Sequence, residues 1–343
     1  MLHVGMDMHK KFSVVTVVDD EGKEIVAGRR IDNDPAEVSQ FMSSLDGEEA
    51  RVVLEAGSNW QWMCDLLDEI GVDNRLCHPL KTKAIASARI KTDKLDSRIL
   101  SHLDRMDFVP EAYKADMETR RLREMLRYRA GLVSERTSFK NRIHAILTKF
   151  NVSNPYTDLF GKAGTGLLRK LELPVAYRKS LDGYLRMVEA LSIEVKKADR
   201  EIEDTFKGSA EAQLLSTIPG VGKLLALTIL AEIVDIERFS SAKQLASFAG
   251  LVPSTSQSGE TTRHGHITRQ GSKWLRWALV EASIHAVRKP GPLKKHFDRL
   301  RRKKGYKVAI VASARKLCTY IYHMLNEKKD YGAIVRYLGS DLG

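Results

Sequence analysis

Leu2-His-Val-Gly-Met-Asp-Met8, Phe12-Ser-Val-Val-Thr-Val-Val18 and Lys23-Glu-Ile-Val-Ala-Gly-Arg-Arg30 follow one another with short connections. Each is brief and rich in apolar or β-branched residues, and Asp19-Asp-Glu-Gly22 between the second and third is a turn signal, so the three read as a β-meander. Working outward, 35–45 has a helical pattern, with Pro35 acceptable in the first turn. Arg51 to Glu55 reads as a strand, Trp60 to Gly71 as a helix and Val72 to Cys77 as a strand. Further helices are expected from Lys81 and from Asp93.

The order β-β-β-α-β-α-β-α matches an α/β domain of the ribonuclease-H (RNase H) type, here assigned to residues 1–110. Residues 111–208 are expected to form a helical, coiled-coil-like arm. Met117 to Phe150 is long, helical and basic, Pro155 and the glycines at 161, 164 and 166 interrupt it, and Leu181 to Phe206 resumes with an apolar stripe. A dimerising arm and a plain intramolecular hairpin fit this pattern equally. Residues 209–343 read as a mainly helical domain. Within it Ile218-Pro-Gly-Val-Gly222 has the form of a helix-hairpin-helix turn ahead of Lys223 and an apolar helix, and 239–249 is another helix. Gly250 to His266 is expected to be a hydroxyl-rich loop, with helix returning over 267–287.

Lys and Arg number 56 against 44 for Asp and Glu, a formal net charge of +12. The excess is clustered: residues 118–143 hold eight Lys/Arg and three Glu, and residues 291–316 hold ten Lys/Arg and one acid, Asp298. Clustering of this kind favours a polyanionic partner over a merely solvated surface. The three cysteines, Cys64, Cys77 and Cys318, have neither metal-ligand spacing nor an even pairing, which points to a reducing, cytoplasmic setting. No apolar run is long enough to span a membrane, and no basic-then-apolar signal precedes the first strand.

Asp93 and Asp96 stand three residues apart, on one face of a helix that Thr92 can cap. Alone they are ordinary first-turn acids. Asp7 and Glu55, each in an apolar strand, change the reading. In an RNase-H-like sheet the first strand and a later strand lie side by side, so these two can converge while a packed helix adds Asp93 and Asp96. Gathered carboxylates repel one another, and a divalent cation relieves this. Mg²⁺ suits oxygen donors, and two such ions about 4 Å apart activate an attacking group and stabilise a leaving oxygen. The loop supplies candidate nucleophiles: Ser254, Ser256, Ser258, Thr255, Thr261 and Thr262, with Arg263, Lys273 and Arg276 as candidate cations. Chemistry alone does not choose Ser258 over Ser256.

Gly5-Met-Asp7 with His9-Lys10, Leu54-Glu-Ala-Gly57 and Lys91-Thr-Asp-Lys-Leu-Asp-Ser-Arg98 occur in the first half. Ile218-Pro-Gly-Val-Gly222, Arg238-Phe239, Phe248-Ala-Gly-Leu-Val-Pro253, Ser258-Gly259, Gly265-His-Ile-Thr-Arg-Gln-Gly271 and Leu275-Arg276 occur in the second. In this order and spacing the chain closely resembles, over nearly its whole length, the DEDD-type insertion-sequence transposases, described as bridge-RNA-guided serine recombinases. The resemblance implies a RuvC-like domain whose acids, matching Asp7, Glu55, Asp93 and Asp96, bind Mg²⁺. It also implies a nucleophilic serine that maps onto Ser258. Further implications are a composite site in a homodimer or homotetramer, a transient phosphoserine link to DNA, and a structured guide RNA pairing with element ends and target.

Two other function classes compete. One is a metal-dependent junction nuclease using the four acids with water as nucleophile; the other is a non-catalytic RNA/DNA-binding protein. An actin-like sugar kinase shares the sheet order but would carry a glycine-rich phosphate loop after the first strand, which is missing here. In a guided enzyme, sequence reading is left to base pairing and the backbone is held by charge, a role that suits 118–143 and 291–316. Tyr306 is a candidate for base stacking, and Trp274 fits core packing better.

Overall fold

The computed structural model describes residues 1–45, 49–85, 92–258 and 261–340, with the side chains of 255–264 and 339–340 outside the description. Two compact units result, Met1–Ala115 and Asp116–Gly343, so the arm and the C-terminal segment fall within one unit.

The first unit is built on a five-stranded sheet. Strands β1 (Leu2–Met8), β2 (Phe12–Val18) and β3 (Glu24–Asp32) form the expected antiparallel meander. Strands β4 (Ala50–Glu55) and β5 (Asp73–Cys77) add in parallel, giving the order β3-β2-β1-β4-β5. This is a mixed sheet of RNase H type. Helix α1 (Pro35–Ser43) starts at Asp34, whose side chain accepts from the Ala36 and Glu37 amides. It and α2 (Trp60–Glu69) bury Val38, Phe41, Met63 and Leu67 against Val4, Met6, Val15 and Val17. The short α3 (Pro79–Ile85) follows, then α4 (Asp93–Arg105).

Strand periodicity decides what α4 meets. Side chains alternate along a strand, so His3, Gly5 and Asp7 share the face opposite Val4 and Met6. A Cβ on Gly5 would lie 1.9 Å from the Ser97 carbonyl oxygen and 2.5 Å from the Ser101 nitrogen. Glycine therefore lets the backbone of α4 rest directly on β1. Ser97 and Ser101 are fully buried in that contact, and the Ser97 hydroxyl bonds the Thr16 hydroxyl at 2.8 Å. At the far end of α4, buried Asp104 meets His3 Nδ1 at 2.6 Å. Arg98 pairs with Glu24 beside this contact face.

The second unit is mainly helical. Helices α5 (Met117–Lys149) and α7 (Val175–Lys207) each run 33 residues and pack as an antiparallel intramolecular hairpin. The direction is set by Arg129 bonding Asp199 near one end and Phe150 packing on Tyr177 at the other. α7 starts six residues before the apolar stripe that marks it in the sequence, just after Pro174. The hairpin tip is closed by α6 (Lys162–Lys170). Gly164 and Gly166, which by propensity should interrupt helix, lie inside α6: burial of Leu168 in the tip cluster with Ile143, Leu159 and Leu181 outweighs their poor helix propensity.

Helices α8 (Ala210–Leu215), α9 (Lys223–Ile233), α10 (Ala242–Phe248), α11 (Lys273–Ala286), α12 (Pro292–Glu327) and α13 (Tyr331–Ser340) enclose the largest core, around Leu227, Leu279, Leu317 and Ile321. α12 is broken at Gly305, where φ is 78°. Two expectations fail here. The hydroxyl-rich segment is a β-hairpin, β6 (Pro253–Ser258) paired antiparallel with β7 (Thr261–Ile267), not a loop. And α11 begins at Lys273 rather than near 267, because β7 runs to Ile267, Arg269 takes a left-handed φ of 55°, and the Ser272 hydroxyl caps the helix by accepting from Leu275.

Candidate functional site

Of the four acids expected from sequence, Asp7 and Asp93 are brought together, and Glu55 and Asp96 lie near enough for their charges to act on Asp7. Met6 pairs with Leu54 in the parallel β1–β4 register, so Asp7 and Glu55 follow at the same ends of neighbouring strands. Asp93 opens α4, with the Thr92 hydroxyl accepting from Leu95 as its cap, and Asp96 lies one turn on. Lys91 of the same motif lies outside the described residues. The Asp7 carboxyl is held above its ordinary value of 3.8. Burial is the main cause, His9 opposes it, and the charges of Asp96, Asp93 and Glu55 add to it. All three acids are thus close enough to act on Asp7.

His9 joins them. Its Nε2 lies 3.4 Å from Asp7 Oδ2 and 3.1 Å from Asp93 Oδ2. One donor atom from each of Asp7, His9 and Asp93 falls within 4.8 Å of the others. The residues present fit a divalent cation: hard carboxylate oxygens, mutually repelling, with a buried ring nitrogen among them that forms no hydrogen bond. Sequence reasoning places His9 in a motif but not among the site residues. His9 follows the end of β1 at Met8, and no local pattern in the sequence marks it as facing Asp7.

In the second unit, the backbone of Ser258 ends β6, opposite Thr261. Its side chain and those of Thr255, Ser256, Thr261, Thr262, Arg263 and His264 lie outside the description, as does Gly259 altogether. Of the candidate cations, Lys273 is exposed. Arg276 instead donates to the Ala249 carbonyl at 3.0 Å, and burial beside Arg269 lowers its pKa, so it serves the frame of the hairpin. A residue that sequence reasoning missed sets the base of this region. Glu232, on α9, accepts from Arg127 at 2.9 Å and from the Ser272 hydroxyl at 2.8 Å. It thereby ties α5, α9 and the start of α11 together.

The turn over Ile218–Gly222 joins α8 to α9. Gly220 has φ of 91°, and a Cβ there would lie 2.5 Å from the His285 Cβ. An open groove at this turn is also lined by Arg288 and Lys289. Residues 301–308 around the α12 break are all exposed, Tyr306 among them, and its ring packs on Phe297 at 5.7 Å. Trp274 is half-buried against Trp277, with the Arg127 guanidinium 5.8 Å from its ring. Among the described residues, no helix is long and apolar enough to cross a membrane.

Residues 4–152 match a transposase model of the DEDD IS110 type, and residues 212–298 match the model for the transposase IS116/IS110/IS902 family. An uncharacterised 44.8 kDa protein of insertion element IS116 from Streptomyces clavuligerus is 23% identical, with 95% of each chain covered. A transposase for insertion sequence element IS1111A from Coxiella burnetii is 25% identical over 96% of this chain and 90% of that one. A pilin gene-inverting protein from Moraxella bovis is 38% identical over 123 residues, 35% of this chain and 38% of that one. A DEDD-type domain implies a divalent metal, and a transposase implies binding to DNA. The chain belongs to the IS110/IS116/IS902 family of transposases, with a DEDD N-terminal domain, and is an enzyme of DNA transposition.

Proposed function

We propose that this transposase cleaves and exchanges DNA strands with Ser258 as nucleophile and with Mg²⁺ held by Asp7, Glu55, Asp93 and Asp96, at sites chosen by a structured guide RNA. The observation that carries the proposal is the meeting of Asp7 with Asp93, with Glu55 and Asp96 near enough for their charges to act on Asp7, at the ends of β1 and β4 and the start of α4. When bound, the metal supplies charge neutralisation at the scissile phosphate and a lower barrier to departure of the leaving oxygen. Asp7 and Glu55 hold their oxygens on rigid strands, and Asp93 and Asp96 close the site from the helix. The Ser258 oxygen gives up its proton and bonds to phosphorus, one bridging P–O bond breaks, and the departing oxygen is protonated. The resulting phosphoserine preserves the energy of the phosphodiester for rejoining. Similarity to a protein named for gene inversion supports strand exchange over simple cutting.

In this reading residues 1–110 are the RuvC-like domain, 111–208 the arm and 209–343 the domain bearing the serine. The arm joins protomers in a homodimer or homotetramer, so that acids and serine come from different copies. Basic surfaces over 118–143 and 291–316 hold guide RNA and DNA backbones, and the enzyme works in the cytoplasm. The test is a two-plasmid recombination assay with the element's ends, its flanking noncoding RNA and Mg²⁺. Ser258→Ala abolishes joined products and covalent protein–DNA species, and Asp93→Asn abolishes both as well. Continued cutting by Ser258→Ala with unchanged yield would replace this reading with a water-driven nuclease.

A further inference from the structure

We propose that His9 is a metal ligand: its Nε2 completes the Asp7–Asp93 part of the site and makes that position a mixed oxygen–nitrogen one. The inference rests on the acid-cluster reading above and adds a donor that reading does not contain.

The first ground is spacing. Neighbouring ligands about 2.1 Å from a shared ion stand about 3 Å apart. His9 Nε2 lies 3.1 Å from Asp93 Oδ2 and 3.4 Å from Asp7 Oδ2, which are the separations of ligands sharing one ion. The second ground is an unmet bonding requirement. The ring is 36% exposed, but its Nε2 atom is shielded from solvent and has carboxylate ion-pair neighbours without an aligned hydrogen-bond partner. A cation between the three groups provides one.

The third ground is that the ring is held in place before any ion arrives. Its face stacks on Phe12 with centroids 4.6 Å apart. The His9 amide donates to the Phe12 carbonyl at 2.9 Å. The His9 carbonyl accepts from both Asn33 and Asn59 side chains, each at 2.7 Å. Asn33 follows β3 and Asn59 precedes α2, so two further elements fix a residue that leaves β1. Ligands are commonly set by such outer contacts. Mn²⁺ accepts the same carboxylate oxygens as Mg²⁺, and a ring nitrogen can join them, so Mn²⁺ serves as a paramagnetic probe of the position.

The test uses Mn²⁺ as probe on the full-length chain, without nucleic acid, by pulsed electron paramagnetic resonance together with titration. Wild type is expected to show coupling of bound Mn²⁺ to a directly ligated nitrogen. His9→Gln, which keeps bulk at the position without a ring nitrogen, is expected to lose that coupling while still binding Mn²⁺, roughly 10- to 100-fold more weakly. Asp7→Asn is expected to remove Mn²⁺ binding altogether. Bound Mn²⁺ that needs Asp7 but shows no nitrogen coupling, or coupling that survives in His9→Gln, overturns the His9 assignment alone. Mn²⁺ that fails to bind wild type, or binds equally well to Asp7→Asn, overturns the acid-cluster reading and this inference with it.

Discussion

Asp7 is the residue on which burial and charge act most directly. Its carboxylate is shielded from water and faces Asp93, Asp96 and Glu55, so in the metal-free chain its negative charge destabilises the fold. Asp7→Asn is therefore expected to raise the thermal midpoint of the metal-free protein at pH 7 and to abolish the further rise that divalent cations give the wild type. Scanning calorimetry with and without Mg²⁺ checks both signs. The thiols behave differently. Burial pushes Cys77 up to about 11 and Cys318 up to about 12, from an ordinary value of 9.0. A group that holds its proton more tightly when folded contributes fully below its unfolded-state value and loses that contribution above it. The contribution of the two thiols is thus expected to be flat in pH below 9 and to be lost as pH rises through the window from 9 to about 12, read as a falling urea midpoint in that window. At pH 8 neither thiol should react with iodoacetamide until the chain is unfolded. Among the candidate site residues, Asp7 and Glu55 stand out in the sequence as carboxylates inside apolar strands, and Asp93 and Asp96 only by their three-residue spacing at a helix start. His9 does not stand out, because one histidine at a strand exit has many ordinary uses, and only the fold reveals what lies opposite it.

Elements position these residues through close approach. Gly5 lets α4 sit on β1, and a methyl group there would meet backbone atoms that have nowhere to move. Gly5→Ala is expected to cost about 1–3 kcal/mol of stability and to weaken divalent-cation binding as Asp93 and Asp96 are pushed from Asp7. Denaturant melts and metal titration of the same variant read the two effects. Glu232 plays the corresponding part in the second unit. Its carboxylate is almost fully buried between Arg127, itself 41% exposed, and Ser272, so Glu232→Ala removes the acceptor of both and is expected to cost about 1–3 kcal/mol, measured by urea unfolding. The strands of the first unit could be read from sequence because Val14 to Val18 and Val52 to Leu54 are apolar and β-branched. The hairpin β6–β7 could not, because Ser254-Thr-Ser-Gln-Ser258 and Thr261-Thr-Arg-His264 have no apolar alternation. Its strands are recognisable only by their pairing with each other. Glu232 was likewise illegible, as a single acid in an otherwise apolar helix.

At the scale of the whole molecule, the excess of 12 positive charges is concentrated where the fold exposes it. Arg301, Arg302, Lys303 and Lys304 all lie exposed beside the break in α12. Replacing these four with Ala is expected to weaken binding to RNA and DNA irrespective of sequence, lowering the slope of log affinity against log salt by about 0.9 for each phosphate that is no longer neutralised. Filter binding over a salt series measures this. The overall plan, an α/β domain followed by a long helical pair and a helical remainder, follows from periodicity alone. The helical pair joins the remainder in one compact unit through apolar contacts such as Leu126 and Ile202 in the main core together with the Arg127–Glu232 ion pair, which no local pattern encodes.

The central claim is that the carboxylates gathered at the ends of β1 and β4 and the start of α4 form a divalent-cation site. The most direct measurement is anomalous diffraction from crystals of the full chain grown with Mn²⁺. An anomalous peak is expected within bonding distance of both Asp7 and Asp93. Crystals that bind Mn²⁺ only elsewhere, with these carboxylates held apart or paired with side chains, would contradict it.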